Sequence, residues 1–110
     1  NPSLAPDFVQ LSINPSPVIA GSASFFELVH DRPQSRMDVT VEVFNYQGQV
    51  LWRETVTEVP ESMLLSLEWD GTGQGGQPLP TGVYLARANM VSGTSEAVTR
   101  TIKIVVINNK

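Results

Sequence analysis

Residues 67–85 read LEWDGTGQGGQPLPTGVYL, and this stretch decides the fold class. It joins the end of one segment of alternating apolar and polar residues to the start of another, through a turn rich in glycine and proline. A helix interior tolerates glycine and proline poorly. Two alternating segments joined by such a turn are typical of antiparallel strands. The stretch therefore predicts an all-β domain.

The same alternation recurs along the rest of the chain, and no segment has helical periodicity. It is clearest in residues 37–45, where valines at 39, 41 and 43 face one way. In residues 24–30 the inward face is ambiguous by one residue, because apolar side chains occupy both faces. About seven strands at this spacing predict an immunoglobulin-like antiparallel β-sandwich. The predicted strands are residues 8–13, 24–30, 37–45, 49–56, 63–69, 83–90 and 98–107.

Length and composition fit one domain that builds its core without disulfides. The chain has 110 residues, 41% of them hydrophobic, no cysteine, and a net charge of −4. That charge gives no footprint for nucleic acid or an anionic membrane. No apolar run reaches the roughly 18 residues that span a bilayer. Residues 1–6 hold two prolines and no periodic pattern, so we expect a linker remnant before a domain at 7–110.

Residues that could carry catalysis or bind a cofactor do not form a recognisable site. His30 is the only histidine, no G-x-S-x-G motif accompanies it, and we expect it at the surface or at a strand end. The turn after Asp70 lacks the further oxygen ligands of a calcium loop, so Asp70 is expected to bond its own backbone. The nearby glycines lack the lysine of a phosphate loop. We predict no enzyme, no metal and no cofactor.

The aromatic residues allow two interpretations. Trp52, Trp69 and Tyr84 could form a ligand-binding platform, although such residues more often fill the core of a small sandwich. Residues 79–84, LPTGVY, also match the tyrosine corner of sandwich domains, in which the phenol bonds back to upstream backbone.

The last predicted strand is apolar on both faces toward its end. Ile102, Ile104 and Val106 face one way, whereas Lys103 and Val105, with Thr101 and Ile107, face the other. This pattern indicates either burial on both sides or an apolar edge that awaits a partner.

The pattern W-D-G-T-x-x-x-G-x-x-L-P-x-G-x-Y, from Trp69 to Tyr84, resembles two related groups of domains. These are the immunoglobulin-like domains of flagellar hook-cap proteins and the C-terminal domains of proteins exported by the type IX secretion system of Bacteroidetes. Four further segments resemble the second group: Asn14-Pro15 with Gly21, the hairpin at 41–50, G-V-Y-L at 82–85, and the terminal strand at 101–110.

Two departures accompany this resemblance. The WDGT loop is longer than in many type IX domains, and two asparagines separate the apolar run from Lys110. The mixture resembles a divergent member of the group, such as the C-terminal domain of the pathway's own cell-surface sortase.

The resemblance implies a non-catalytic C-terminal secretion signal that directs a larger protein across the outer membrane through the type IX translocon. It implies outer-membrane secretion and attachment machinery as the partner, and a route through the periplasm to the cell surface or the medium. It implies no membrane insertion, and the apolar edge suggests a strand-exchanged homodimer. The residues implied in recognition are Ile102, Lys103, Ile104, Val105, Val106, Ile107 and Lys110, and the structural motif comprises Trp69, Asp70, Gly71, Gly82 and Tyr84.

Two other functions remain open from the sequence. An accessory sandwich that packs against a neighbouring catalytic domain would carry an apolar patch away from the terminal strand. A carbohydrate- or adhesin-type module would require at least two of Trp52, Trp69 and Tyr84 to be exposed and coplanar.

Overall fold

Eight strands make up a two-layered sandwich in the computed structural model, which describes residues 9–31, 34–92 and 97–109. This part of the chain contains no helix, and hence none that could cross a membrane. The predicted linker at residues 1–6 and Lys110 lie outside the described residues. The strands are β1 Gln10–Asn14, β2 Val18–Ile19, β3 Ser24–Val29, β4 Met37–Phe44, β5 Val50–Glu58, β6 Leu64–Trp69, β7 Gly82–Ser92 and β8 Val98–Ile107.

The two sheets have the strand orders β1-β3-β6 and β2-β8-β7-β4-β5. All neighbours are antiparallel except β2 and β8, which are parallel. The predicted immunoglobulin-like β-sandwich is therefore confirmed. The additional strand is β2. It has only two residues, which is too short for an alternating pattern to be recognised in the sequence. The prolines that precede β2 end β1 and let the chain cross from the first sheet to the second.

The core lies between the sheets and is filled by the inward positions that alternation predicts. Phe26, Trp52 and Trp69 form a three-ring cluster, in which the Phe26 ring centroid lies 6.2 Å from that of Trp52 and 5.6 Å from that of Trp69, and the two tryptophan centroids lie 5.6 Å apart. The burial of Phe26 resolves the ambiguity of β3, because Phe26 and Leu28 point inward whereas Phe25 is exposed. Aromatic side chains dominate this end of the core, and small side chains from β7 complete it.

His30 occupies the first position after β3 and is completely buried. Its backbone N–H donates to the carbonyl oxygen of Met63 at 2.9 Å. The strand-end position is as predicted, but the surface position is wrong. The physical reason is the parity of β3, which places every second residue from Ser24 to His30 toward the core.

The hairpin between β4 and β5 has the predicted turn. The Asn45 side-chain oxygen accepts the backbone N–H groups of Gln47 and Gln49, each at 3.0 Å. Gly48 has a φ of 87°, the left-handed conformation that favours glycine. The turn thereby fixes the register that aligns β5 with β4.

Candidate recognition site at the terminal strand

The terminal strand β8 is paired with β7 along most of its length. The pairs run without a shift from Met90 opposite Val98 to Gly82 opposite Val106. Ile104 and Val106 are buried in the core, whereas Lys103 and Val105 point to the outer face of the sheet. The alternation predicted from the sequence is therefore present in β8.

Strand β2 covers the other edge of β8 at its end. Val18 lies opposite Val106 and Ile19 opposite Ile107, and the Ala20 N–H donates to the Ile107 carbonyl oxygen at 2.9 Å. Val18 and Val106 are both completely buried. Of the two alternatives that the sequence left open, an apolar edge that awaits a partner does not hold at Val106 and Ile107, because β2, a strand that the sequence did not reveal, already pairs with them.

The WDGT loop packs behind β2. The Gly21 N–H donates to the Asp70 carbonyl oxygen at 2.8 Å, so the loop and the β2 segment are joined through their backbones. Gly71 has a φ of 77°, and a Cβ atom there would lie 2.9 Å from the Ala20 Cα. Only glycine satisfies both the backbone conformation and the close approach.

Side chains within the WDGT loop hold its shape. The Trp69 indole N–H donates to the Thr72 carbonyl oxygen at 2.9 Å, and the Thr72 hydroxyl donates to the Asp70 carboxylate at 2.6 Å. The sequence predicted that Asp70 would bond its own backbone; in the structure its partner is the Thr72 hydroxyl. The threonine of the motif therefore has a structural role that the prediction omitted.

The LPTGVY corner holds β8 from the β7 side. The Tyr84 hydroxyl donates to the Pro80 carbonyl oxygen at 2.6 Å, which is the contact of a tyrosine corner. Burial raises the pKa of the Tyr84 phenol, so this donor keeps its proton over a wide pH range. Just beyond β8, the backbone N–H of Asn108 donates to the Thr81 hydroxyl oxygen at 2.7 Å. The side-chain amide of Asn108 donates to the Leu79 carbonyl oxygen at 3.2 Å.

The structure thus brings together the two sets of residues that the sequence singled out. The WDGT loop reaches the end of β8 through β2, and the corner with its following strand reaches it directly through Gly82 and Asn108. Both ends of the 67–85 stretch converge on Val106 and Ile107. The site is a strand end held between backbone partners.

The family of the domain can be stated from sequence comparison. The model of the FlgD Ig-like domain family matches residues 20–94, about two-thirds of the chain. The chain belongs to the FlgD Ig-like domain family. No curated protein sequence matches it.

Solved structures resemble this FlgD Ig-like domain in fold. Dimeric latent PorU from Porphyromonas gingivalis has 24% identity and a TM-score of 0.79, over 96% of this chain and 10% of PorU. CopC from Methylosinus trichosporium OB3b has 14% identity and a TM-score of 0.58, over 94% of this chain and 96% of that protein. The periplasmic chaperone SfaE has 12% identity and a TM-score of 0.61, over 92% of this chain and 58% of SfaE. The chain therefore corresponds to about a tenth of PorU, and at these identities the similarity is one of fold.

The proposed aromatic platform is not present in this FlgD Ig-like domain. Trp52, Trp69 and Tyr84 have exposed fractions of only 8%, 2% and 7%. Their rings face the core, so they cannot stack on a ligand at the surface. In the described residues, no group of three or more histidine, cysteine or acidic side chains is placed to hold a metal ion.

The polar centre of the five-stranded sheet was not identified from the sequence. On its outer face the Glu42 carboxylate receives hydrogen bonds from Arg87 on β7 and Arg53 on β5, with the Arg87 contact at 2.7 Å. Hydrogen bonds from Arg87 and then Arg53 lower the pKa of Glu42 below its usual value. The alternation in each strand predicts that Glu42, Arg53 and Arg87 point to the outer face. Their contact with one another depends on the register of three strands, which alternation does not give.

Proposed function

We propose that this domain is a non-catalytic C-terminal sorting domain, which directs a larger protein across the outer membrane through the type IX translocon. The observation that carries the proposal is the convergence of two motifs on one strand end. The W-D-G-T and L-P-x-G-x-Y residues hold the lysine-preceded apolar strand in place from both sides. A domain that presents one strand to the export machinery needs such a support.

The fold similarity to PorU is consistent with this proposal, since PorU is a type IX secretion protein. The proposal extends to the partner and the route: outer-membrane secretion and attachment machinery, reached in the periplasm, with the cell surface or the medium as the destination. Lys110, which the resemblance includes in the recognised strand, belongs to the proposal by sequence alone.

Recognition through the backbone would use the part of the β8 edge that β2 does not reach. The N–H and C=O groups of one strand residue point to the same neighbouring strand, and those of the next residue point to the strand on the opposite side. The Ile107 carbonyl faces β2, so the backbone groups of Lys103 and Thr101 face the same edge. Among the described strands, β2 pairs with β8 only at Val106 and Ile107. A partner strand that paired there would not displace β2, but it would pass close to the start of β1, where the Arg100 side chain donates to the Val9 carbonyl oxygen at 2.9 Å.

The test is export of a folded reporter fused to this domain, in a host with a working type IX system. Deleting residues 102–110 removes core side chains, so a point variant is needed as well. Thr101→Pro removes one backbone N–H from the edge of β8 that faces away from β7 and leaves the hydrogen bonds between β8 and β7 intact. Proline is tolerated at such an edge position. Thr101→Val keeps the N–H and serves as the matched control. We expect export of the wild-type domain and of Thr101→Val, and retention of a folded Thr101→Pro fusion.

The outcomes separate the parts of the proposal. If the wild-type fusion folds and is not exported, the sorting function is wrong. If Thr101→Pro is exported as well as the wild type, the domain is a sorting signal that is not recognised through this edge.

An accessory sandwich is the second candidate, and one observation favours it. Val59, Met63 and Leu64 are exposed around the connection from β5 to β6, away from the terminal strand. If a neighbouring domain covers them, the melting temperature of this domain should be higher in the full-length protein than in isolation. An equal melting temperature in both would exclude that role.

A further inference from the structure

The outer face of the five-stranded sheet divides into a polar half and an apolar half. The register places Thr40, Glu42 and Thr55 beside Arg87 and Asn89 in the polar half. Toward the other end, Leu85 lies opposite both Phe44 and Lys103, and Val83 lies opposite Val105. Arg87 marks the boundary, since its guanidinium group lies 5.3 Å from the centre of the Phe44 ring.

The apolar half is exposed and holds a shallow, open depression. Tyr46, Val83 and Val105 have exposed fractions of 59%, 45% and 39%. Tyr46, Val83 and Lys103 line an open cavity of about 460 Å³, and Val105 neighbours Val83 in the ladder. We call these four residues the Tyr46–Val105 surface. Clustered exposed apolar side chains beside polar residues are typical of protein interaction sites.

The surface carries one positive charge that no described acidic residue neutralises. The acids on this sheet face are engaged elsewhere: Glu42 by Arg53 and Arg87, and Asp38 by the Thr57 hydroxyl. In the described part of the chain, neither of the ion pairs involves Lys103. Its aliphatic stem can extend the apolar surface while the ammonium group stays available to an anion.

We propose that the Tyr46–Val105 surface docks a segment of a partner protein that presents an apolar side chain next to a carboxylate. The apolar side chain would occupy the cavity between Tyr46 and Val83, and the carboxylate would pair with Lys103. This inference rests on the proposed sorting function, because Lys103 and Val105 belong to the strand that the machinery would recognise. It adds two residues from other elements, Tyr46 and Val83, to that site.

The charges disfavour other occupants. A second copy that used the same surface about a two-fold axis would bring two Lys103 side chains together. An anionic membrane surface requires a cluster of basic residues, whereas this surface has one lysine on a chain of net charge −4. A partner with a carboxylate beside its apolar group satisfies both features.

The experiment uses the same export assay with two matched double variants. Tyr46→Ser with Val83→Thr removes apolar contact area from the surface without substituting any residue of β8. Met63→Ser with Val59→Thr changes two side chains of comparable exposure, 51% and 58%, at the β5–β6 connection. We expect export of the first to fall about tenfold, which corresponds to roughly 1.4 kcal/mol of binding, and export of the second to match the wild type. A thermal melt of each purified domain shows that both fold.

Lys103 is tested by its charge. Lys103→Met keeps an apolar stem, whereas Lys103→Glu reverses the charge, so we expect the glutamate variant to lose more export than the methionine variant. Equal export of the two would overturn the carboxylate part of the inference.

The controls separate this inference from the sorting function. If Tyr46→Ser with Val83→Thr is exported like the wild type while Thr101→Pro is retained, the docking surface is wrong and the sorting signal stands. If the wild-type fusion itself is not exported, both are wrong.

Discussion

The backbone N–H of Ala20 donates a 2.9 Å hydrogen bond to the carbonyl oxygen of Ile107, and this bond ties β2 to the end of the terminal strand. The next residue, Gly21, donates in turn to the Asp70 carbonyl oxygen at 2.8 Å. Two adjacent residues therefore link β8 to the WDGT loop. A change that moves this loop should therefore also disturb the pairing of β2 with the end of β8, although the loop and that strand end are far apart in sequence.

Gly71→Ala should destabilise the domain more than a glycine substitution that meets no neighbour. Alanine at this position would have to adopt the left-handed conformation, and its Cβ would lie 2.9 Å from the Ala20 Cα. Together these two effects should lower the free energy of unfolding by about 3 kcal/mol. Gly48→Ala also requires a left-handed residue, but its Cβ would meet nothing within 4 Å, so about 1 kcal/mol is expected. Denaturant unfolding of both variants measures the difference. Equal losses would show that the contact with β2 is unimportant.

Tyr84→Phe should lower the free energy of unfolding by about 1 kcal/mol, which corresponds to a melting temperature lower by about 4 °C. The variant removes the hydroxyl that donates to the Pro80 carbonyl and leaves the buried ring in place. Tyr46→Phe is the control, because Tyr46 is exposed. An unchanged melting temperature for Tyr84→Phe would contradict a stabilising tyrosine corner.

Glu42→Gln should cost about 1 kcal/mol at neutral pH, since both arginines are substantially exposed and water screens the pairs. The folded-state pKa of Glu42 is lowered, so its contribution is complete above the usual glutamate pKa of about 4.3 and is lost as the pH falls through the folded value. The stability difference between wild type and variant should therefore shrink at acid pH. Unfolding at several pH values tests this, with the exposed Glu54→Gln as a charge-matched control. A difference that stays constant down to acid pH would argue against the ion pairs.

Much of this arrangement was predictable, and the exceptions have identifiable physical causes. Alternation gave the seven longer strands, and the LPTGVY pattern gave the Tyr84 back-bond, because both depend on neighbours in sequence. Strand β2 was missed since two residues carry no period. The burial of His30 was missed because the apolar residues of β3 left its parity open by one position.

The candidate site was predictable only in its parts. The sequence indicated the terminal strand and the WDGT and LPTGVY motifs, yet their meeting at Val106 and Ile107 depends on β2 and on the sheet order. The exposed surface around Tyr46 and Val83 depends likewise on the β4–β7–β8 register. Long-range pairing of this kind is not encoded in local periodicity.

Acrylamide should quench the fluorescence of the folded domain only weakly, because Trp52 and Trp69 are buried against Phe26. Quenching should rise several-fold after unfolding in guanidinium, which supplies the reference for exposed indoles. Soluble oligosaccharides should leave the emission spectrum unchanged. Strong quenching of the folded domain, or a spectral shift with a sugar, would restore the carbohydrate-binding alternative.

Strand exchange between two copies should be limited by β2 and increased when β2 is loosened. A partner strand can pair with the β8 edge at Val106 and Ile107 only after the Ala20 bond opens, so the wild-type domain should dimerise only at high concentration. Gly71→Ala pushes against Ala20 and should raise the dimer fraction at a given concentration, whereas Gly48→Ala should not. Sedimentation equilibrium at several concentrations measures all three proteins. If each remains a strict monomer throughout, the edge of β8 does not exchange strands, and recognition of that edge by a partner must use the part upstream of Val106.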